Sequence, residues 1–243
     1  MAAGKKQDAT GPEGRRAKAA AARAEAARHE RRRRMLLRGG IAVAVAAVIA
    51  GAVLVAVRGG GSSGSGSSFG IPSQPRTTAE GRTTLPPWSA PADAAAAVKA
   101  AGLPMLSSEG SALHIHAHLD VYTDGKATTV PADIGIDVSA QQLSPLHTHD
   151  ESGVIHVESP VQAVFSLGQF VTQWQVSMAA DHIGGLKTDA THSFSAYVNG
   201  TKVSGDPAAI ILHAHDEIAL VYGTAAENAA VKVPSSYAWP SGL

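Results

Sequence analysis

Residues 113–122 read LHIHAHLDVY, and this alternation constrains the fold more than any other stretch of the chain. Successive side chains of a β-strand point to opposite faces, so Leu113, Ile115, Ala117, Leu119 and Val121 form one apolar row. His114, His116, His118, Asp120 and Tyr122 form the other. A helix would scatter both sets around its circumference. The segment is therefore a strand with a core on one side and three imidazoles on the other.

Eight of the eleven histidines fall in three such patches: His114, His116 and His118; His147, His149 and His156; His213 and His215. Neutral imidazole is the commonest protein ligand for zinc and copper. Adjacent positions on one face of a strand lie about 6.5–7 Å apart. Two of the first row can therefore lean onto one ion, and a third would be strained. The second patch, LHTHDESGVIHVES at 146–159, reads as a hairpin. A connection of two or four residues puts His147 opposite His156 with His149 one step along, which gives three nitrogens on one surface, whereas a three-residue loop breaks that match. Asp150 and Glu158 are near enough in sequence to add a fourth ligand or to orient an imidazole. His213 and His215 precede Asp216 in a segment that reads equally as a turn. His182 and His192 are isolated, and His29 lies in the basic N-terminal tail.

Cysteine is absent, so disulfides, thiolate zinc sites and cysteine-ligated copper are excluded. Met105 and Met178 are the sole methionines after residue 90, which argues against a thioether-rich cuprous site. The metal expected on His114, His116, His118, His147, His149 and His156 is Cu(II) or Zn(II).

Charge divides the chain. Residues 1–40 carry twelve Lys or Arg against four Asp or Glu, and residues 41–243 carry eight against sixteen. Between them, residues 41–57 are uninterrupted apolar sequence flanked by Arg38 and Arg58, close to the roughly 20 residues that cross a bilayer. The chain thus reads as a basic cytoplasmic tail at 1–38, a transmembrane helix at 39–58, a flexible Gly/Ser/Pro linker at 59–90, an exported globular domain at 91–223 and a C-terminal tail at 224–243. This predicts a single-pass cell-membrane protein with its C-terminal domain outside, touching lipid through the anchor. A cleaved twin-arginine export signal is the alternative. The acidic later part argues against a nucleic-acid partner, and no protein partner can be read.

Within the domain, residues 91–101 predict a short helix closed by Gly102, and Ser166 to Gln169 has the form of a capping box opening an amphipathic helix through Trp174. Asp124-Gly125 and Asn199-Gly200 are hairpin turns. Strands are expected at 127–130, 194–198, 201–203, 210–212 and 217–222. The fold class is α+β and mostly antiparallel β. VNGTKV followed by DEIALVYG resembles the last strands of β-grasp domains over about thirty residues, which implies a small β-grasp-like sheet with one main helix. The diglycine tail of β-grasp sulfur carriers is missing, so their activity is not implied.

HTHDESGVIHVES resembles the first cupin motif, with Gly153 in place of its glutamate and no second motif. Taken together, HxHxHLDVYTDGK, VPADIGI, PLHTHDESGVIHVESP and FSLGQF are similar to an uncharacterised family of membrane-anchored, histidine-rich exported proteins. That resemblance implies an exported domain and supplies no reaction. The function expected is metal binding in metal handling at the cell envelope. The alternatives are a cupin-like or hydrolytic metalloenzyme, with Asp150, Glu151 or Glu158 as base, and a pH-responsive interaction module.

Overall fold

The computed structural model describes residues 69–243. In chain order these form helix α1 (Ala94–Ala100), strands β1 (Leu113–Thr123), β2 (Lys126–Thr128), β3 (Ile136–Asp137), β4 (Gln142–Leu143), β5 (Leu146–His147) and β6 (Val154–Ser159), and helix α2 (Leu167–Gln173). Strands β7 (Met178–Ala179), β8 (His182–Ile183), β9 (Leu186–Lys187), β10 (His192–Val198) and β11 (Thr201–Val203) follow. A 3-10 turn (Pro207–Ala209), strand β12 (Glu217–Thr224) and helix α3 (Ala225–Ala230) complete the set.

The long strand β1 organises the molecule. Its N-terminal half pairs antiparallel with β6, and its C-terminal half pairs with β2 along the same edge. The other edge takes β12 in parallel, from His118↔Glu217 to Thr123↔Tyr222. The result is a seven-stranded mixed sheet in the order β11-β10-β12-β1-β6-β5, with β2 beside β1; β3–β4 and β7–β8–β9 form two small separate sheets. This corrects the expected β-grasp-like sheet. The motifs that suggested it are local hairpins, whereas the topology is set by β1 and β12, about a hundred residues apart in sequence. The sheet is also open, with β11 and β5 at its ends. It is not the double-sheet jelly roll of a cupin.

Both hairpin turns form as expected. Asp124 and Gly125 have φ of 51° and 74°, and Asn199 and Gly200 have 52° and 76°, the two left-handed residues of a type I′ turn. The capping box also forms: Ser166 Oγ accepts from the Gln169 amide, and Gln169 Oε1 accepts from the Ser166 amide, both at 3.2 Å. The helix that follows is buried on every side rather than amphipathic. Its Phe170, Val171 and Trp174 share one core with Ala117, Leu119 and Val121 of β1 and with Ile155 and Val157 of β6. Burial of side chains of this size stabilises the fold by about 1.5–3 kcal/mol each.

Residues 69–90, expected as linker, pack against this core. Ile71, Ala79 and Trp88 are buried, and Trp88 meets Trp174 edge-on with ring centroids 5.7 Å apart. Trp174 Nε1 donates to the Trp88 carbonyl at 3.1 Å, and Arg82 donates to the Trp174 and Gln175 carbonyls. A few apolar anchors in a Pro- and Thr-rich stretch are enough to fix its path. The C-terminal segment also has structure. Thr224 and Glu227 cap α3 with a second capping box, and Tyr237 and Trp239 lie over the histidine side of the sheet.

The expected transmembrane helix at 39–58, the tail before it and residues 59–68 of the linker lie outside the described residues. Among the described residues no helix is long and apolar enough to cross a membrane. The single-pass localisation and the lipid contact are therefore corrected to this extent: the described part of the chain supplies no span for them.

Candidate metal centre

On the histidine side, β5, β6 and β1 lie next to one another. His147 pairs with His156 across β5 and β6, and His156 pairs with His116 across β6 and β1. Six residues, 148–153, separate the two strands of the β5–β6 hairpin, longer than the two or four expected, and the pairing still puts both histidines on the same face. Gly153 makes that loop possible. Its φ is +85°, its carbonyl accepts from the Leu119 amide, and a Cβ there would lie 2.5 Å from the Leu119 carbonyl oxygen.

Two residues along each strand, and so on the same face, Glu158 of β6 stands opposite His114 of β1. Five imidazoles and one carboxylate therefore meet on a single patch: His114, His116, His147, His149, His156 and Glu158. Adjacent rings stand edge-on, with centroids 4.5 Å apart for His149 and His156, 4.6 Å for His116 and His156, and 4.7 Å for His147 and His149. Three groups there could hold a metal ion, each offering ligand atoms within 4.8 Å of one another. They are His147 with His149 and His156, His114 with His116 and Glu158, and Glu109 with His147 and Glu158.

The hydrogen bonds decide which nitrogens are available. His147 Nδ1 lies 2.9 Å from the Ser144 carbonyl, which can only accept, so the proton is on Nδ1 and Nε2 carries a lone pair. His156 Nδ1 likewise donates to Glu158 Oε1 at 3.0 Å and leaves its Nε2 as the base. His147 Nε2 and His149 Nε2 are 3.2 Å apart, close to the roughly 3.3 Å that separates two nitrogens on one tetrahedral zinc at 2.0–2.1 Å. Outer hydrogen bonds that fix the tautomer and ring orientation are the usual support of ligating histidines.

Burial sets the charge of the patch. His147 is fully buried, and that desolvation, with His149 beside it, pushes its pKa down to about 3. His116 is lowered to about 4 by burial and by His156 and His114. Both stay neutral at physiological pH, the form a metal requires. Burial alone would raise the pKa of Glu158, but the hydrogen bond from His156 and the surrounding imidazoles hold it below the usual carboxylate range. Two buried atoms, His116 Nε2 and Glu158 Oε2, have no hydrogen-bond partner among the described residues. An unsatisfied buried polar atom costs about 1–3 kcal/mol. Access from solvent is through His114 and His149, whose side chains are 51% and 25% exposed.

His118, third in the β1 row, is held apart from this group. Its Nδ1 lies 2.8 Å from Glu217 Oε2 and its Nε2 lies 2.7 Å from the Ser152 carbonyl. Both partners are acceptors, so the ring carries both protons and is a cation. Burial opposes that charge, but the Glu217 hydrogen bond and carboxylate, with the Ser152 carbonyl, raise the pKa above its ordinary value. Tyr237 stacks on the ring at 3.9 Å. His213 and His215 occupy a turn, in which the Asp216 amide donates to the His213 carbonyl and His215 has a φ of 63°. His182 and His192 bind Asp181 and Asp189 away from the patch. Asp150 receives the Ser152 amide within the hairpin loop, and Glu151 is exposed there.

Glu109 had no signal in the sequence beyond its carboxylate. Gly110 brings it to the patch: a Cβ at that position would lie 2.0 Å from the Ser159 carbonyl carbon, so only glycine lets the chain pass so close to the end of β6. Glu109 Oε1 is 3.7 Å from His149 Nε2. Burial and then the Glu158 charge raise its pKa. Comparison of the chain with protein-family models, with curated proteins and with solved structures finds no match.

Proposed function

We propose that the protein binds a divalent transition metal, Zn(II) or Cu(II), through His147, His149 and His156, and that its role is in metal handling. The observation that carries this reading is the set of three imidazoles from β5, β6 and the loop between them, two of them with the non-ligating nitrogen already donated to an acceptor. Imidazole nitrogen without sulfur suits both ions, and copper binds the more tightly in the Irving–Williams order. The offered atoms span up to 4.8 Å, so ligation draws the partly exposed His149 and His156 inward by about an ångström to reach zinc distances.

A hydrolytic role for the same metal has one observation in its favour. Glu109 stands at the edge of the patch, 37% exposed, with a raised pKa, as a base for water would. Replacing it with Gln would abolish such an activity and leave metal retention intact.

Purified full-length protein, stripped with chelator and titrated with Zn(II) or Cu(II) against a competing indicator, is expected to retain metal stoichiometrically. Its melting temperature is expected to rise, since free metal at a hundred times Kd adds about 2.7 kcal/mol. Metal that is lost on desalting, with no change in melting temperature, would overturn the reading.

A further inference from the structure

We infer that the patch holds two metal ions and that Glu158 is shared between them, an inference that rests on the metal-binding reading above. The first ion takes His147, His149 and His156. The second takes His114, His116 and Glu158.

The donor count is the first argument. Five imidazoles and Glu158 exceed the four ligands of a tetrahedral zinc, yet they are contiguous on three adjacent strands. They fall into two triads, each with its ligand atoms within 4.8 Å. Glu158 is the second argument, because its two oxygens address different triads. Oε1 lies 3.3 Å from His114 Nε2 and 3.9 Å from His116 Nε2, whereas Oε2 lies 4.0 Å from His147 Nε2. A carboxylate placed in this way can bridge two cations, and it can keep its hydrogen bond from His156 while doing so.

Burial also leaves two atoms of the patch unpaired. His116 Nε2 and Glu158 Oε2 are both in residues more than nine-tenths buried, and neither has a hydrogen-bond partner among the described residues. The first belongs to the second triad, and the second faces the first triad. One ion on His147, His149 and His156 can take Glu158 Oε2 as a further ligand but leaves the His116 nitrogen unpaired. Two ions satisfy both. Glu109, grouped with His147 and Glu158, supplies a further carboxylate against the charge of two cations.

The test uses the full-length chain loaded with Zn(II) or Cu(II) alone. Two equivalents per chain are expected to survive desalting, and His114→Ala is expected to lower this to one. His114 is half-exposed, so that variant keeps its fold. In the protein loaded with two Cu(II), a shared carboxylate couples the spins, so the integrated electron paramagnetic resonance intensity falls short of two isolated ions. Glu158→Gln is expected to restore the uncoupled signal or to leave one equivalent. Saturation of the wild type at one equivalent would overturn the shared site while leaving the metal-binding reading in place. Saturation at zero would overturn both. Two equivalents unaffected by His114→Ala would put the second ion elsewhere and likewise overturn the inference.

Discussion

The buried pair of His118 and Glu217 offers a prediction whose size follows from geometry. The two side chains are 5% and 1% exposed, and their contact is 2.8 Å. His118 donates its other proton to the Ser152 carbonyl, so Glu217 is the one carboxylate in direct contact with the imidazolium, with Asp120 adding a weaker charge nearby. Glu217→Ala leaves a buried cation without its partner, a change that costs about 3–5 kcal/mol. For a domain of about 175 residues, each kcal/mol shifts the melting temperature by about 2–4 °C, so the expected drop is about 6–20 °C. The measurement is differential scanning calorimetry in excess chelator, which keeps metal out of the comparison. The pH dependence has a definite sign. A folded pKa raised above 6.5 means that the stabilisation is complete below pH 6.5 and is lost as pH rises through the folded value. The gap between wild type and variant should therefore narrow at alkaline pH. A difference under about 1 kcal/mol at pH 6, or a gap that widens with pH, would refute the doubly protonated, carboxylate-paired His118.

Three further outcomes follow from the same structure. His149→Ala, at a partly exposed position, should change the stability of chelator-treated protein by no more than about 0.5 kcal/mol. It should weaken Zn(II) binding by more than the roughly 10–100-fold that loss of an outer partner costs, as read by competition titration. The folded pKa values of His147, about 3, and His116, about 4, lie below 6.5, so their neutral forms stabilise the fold fully above pH 6.5. Metal-free protein should lose several kcal/mol as pH falls from 6.5 towards 4, at about 1.4 kcal/mol per pH unit for each group that must charge; flat denaturant midpoints across that window would contradict the assignment. Tyr237→Ala removes a ring stacked on His118 and should lower stability by about 0.5–2 kcal/mol beyond its buried area, while Tyr237→Phe should be nearly neutral in the same denaturation assay.

Part of the candidate metal centre could be read from local pattern because strand periodicity is rigid. The alternation at 113–122 put His114 and His116 on one face; the hairpin at 146–159 was legible too, but the sequence did not fix its loop length, and it is the six-residue loop at 148–153 that sets His147 across from His156. The same reasoning found the two hairpin turns and the Ser166 capping box, each of which depends on a few adjacent residues. Long-range pairing carries no such mark. Nothing near β1 announces that its partner on one edge is β12, because parallel strands are joined by long crossovers rather than by a turn. For the same reason the sequence could not show that His118 would meet Glu217 and leave the histidine group, or that His156 would stand between His147 and His116. Composition misled at 69–90, where Trp88 and Ile71 outweigh their Pro- and Thr-rich surroundings. It was silent on Tyr237 and Trp239, whose rings cover histidines more than twenty residues away in sequence.

X-ray absorption at the zinc edge of the loaded full-length protein tests the central claim most directly. The expected spectrum shows nitrogen and oxygen neighbours at about 2.0–2.1 Å with no sulfur, the multiple-scattering pattern of at least two imidazoles per ion, and a loss of imidazole scattering in His149→Ala. An oxygen-only shell without imidazole scattering, or metal that does not stay with the protein, would contradict it.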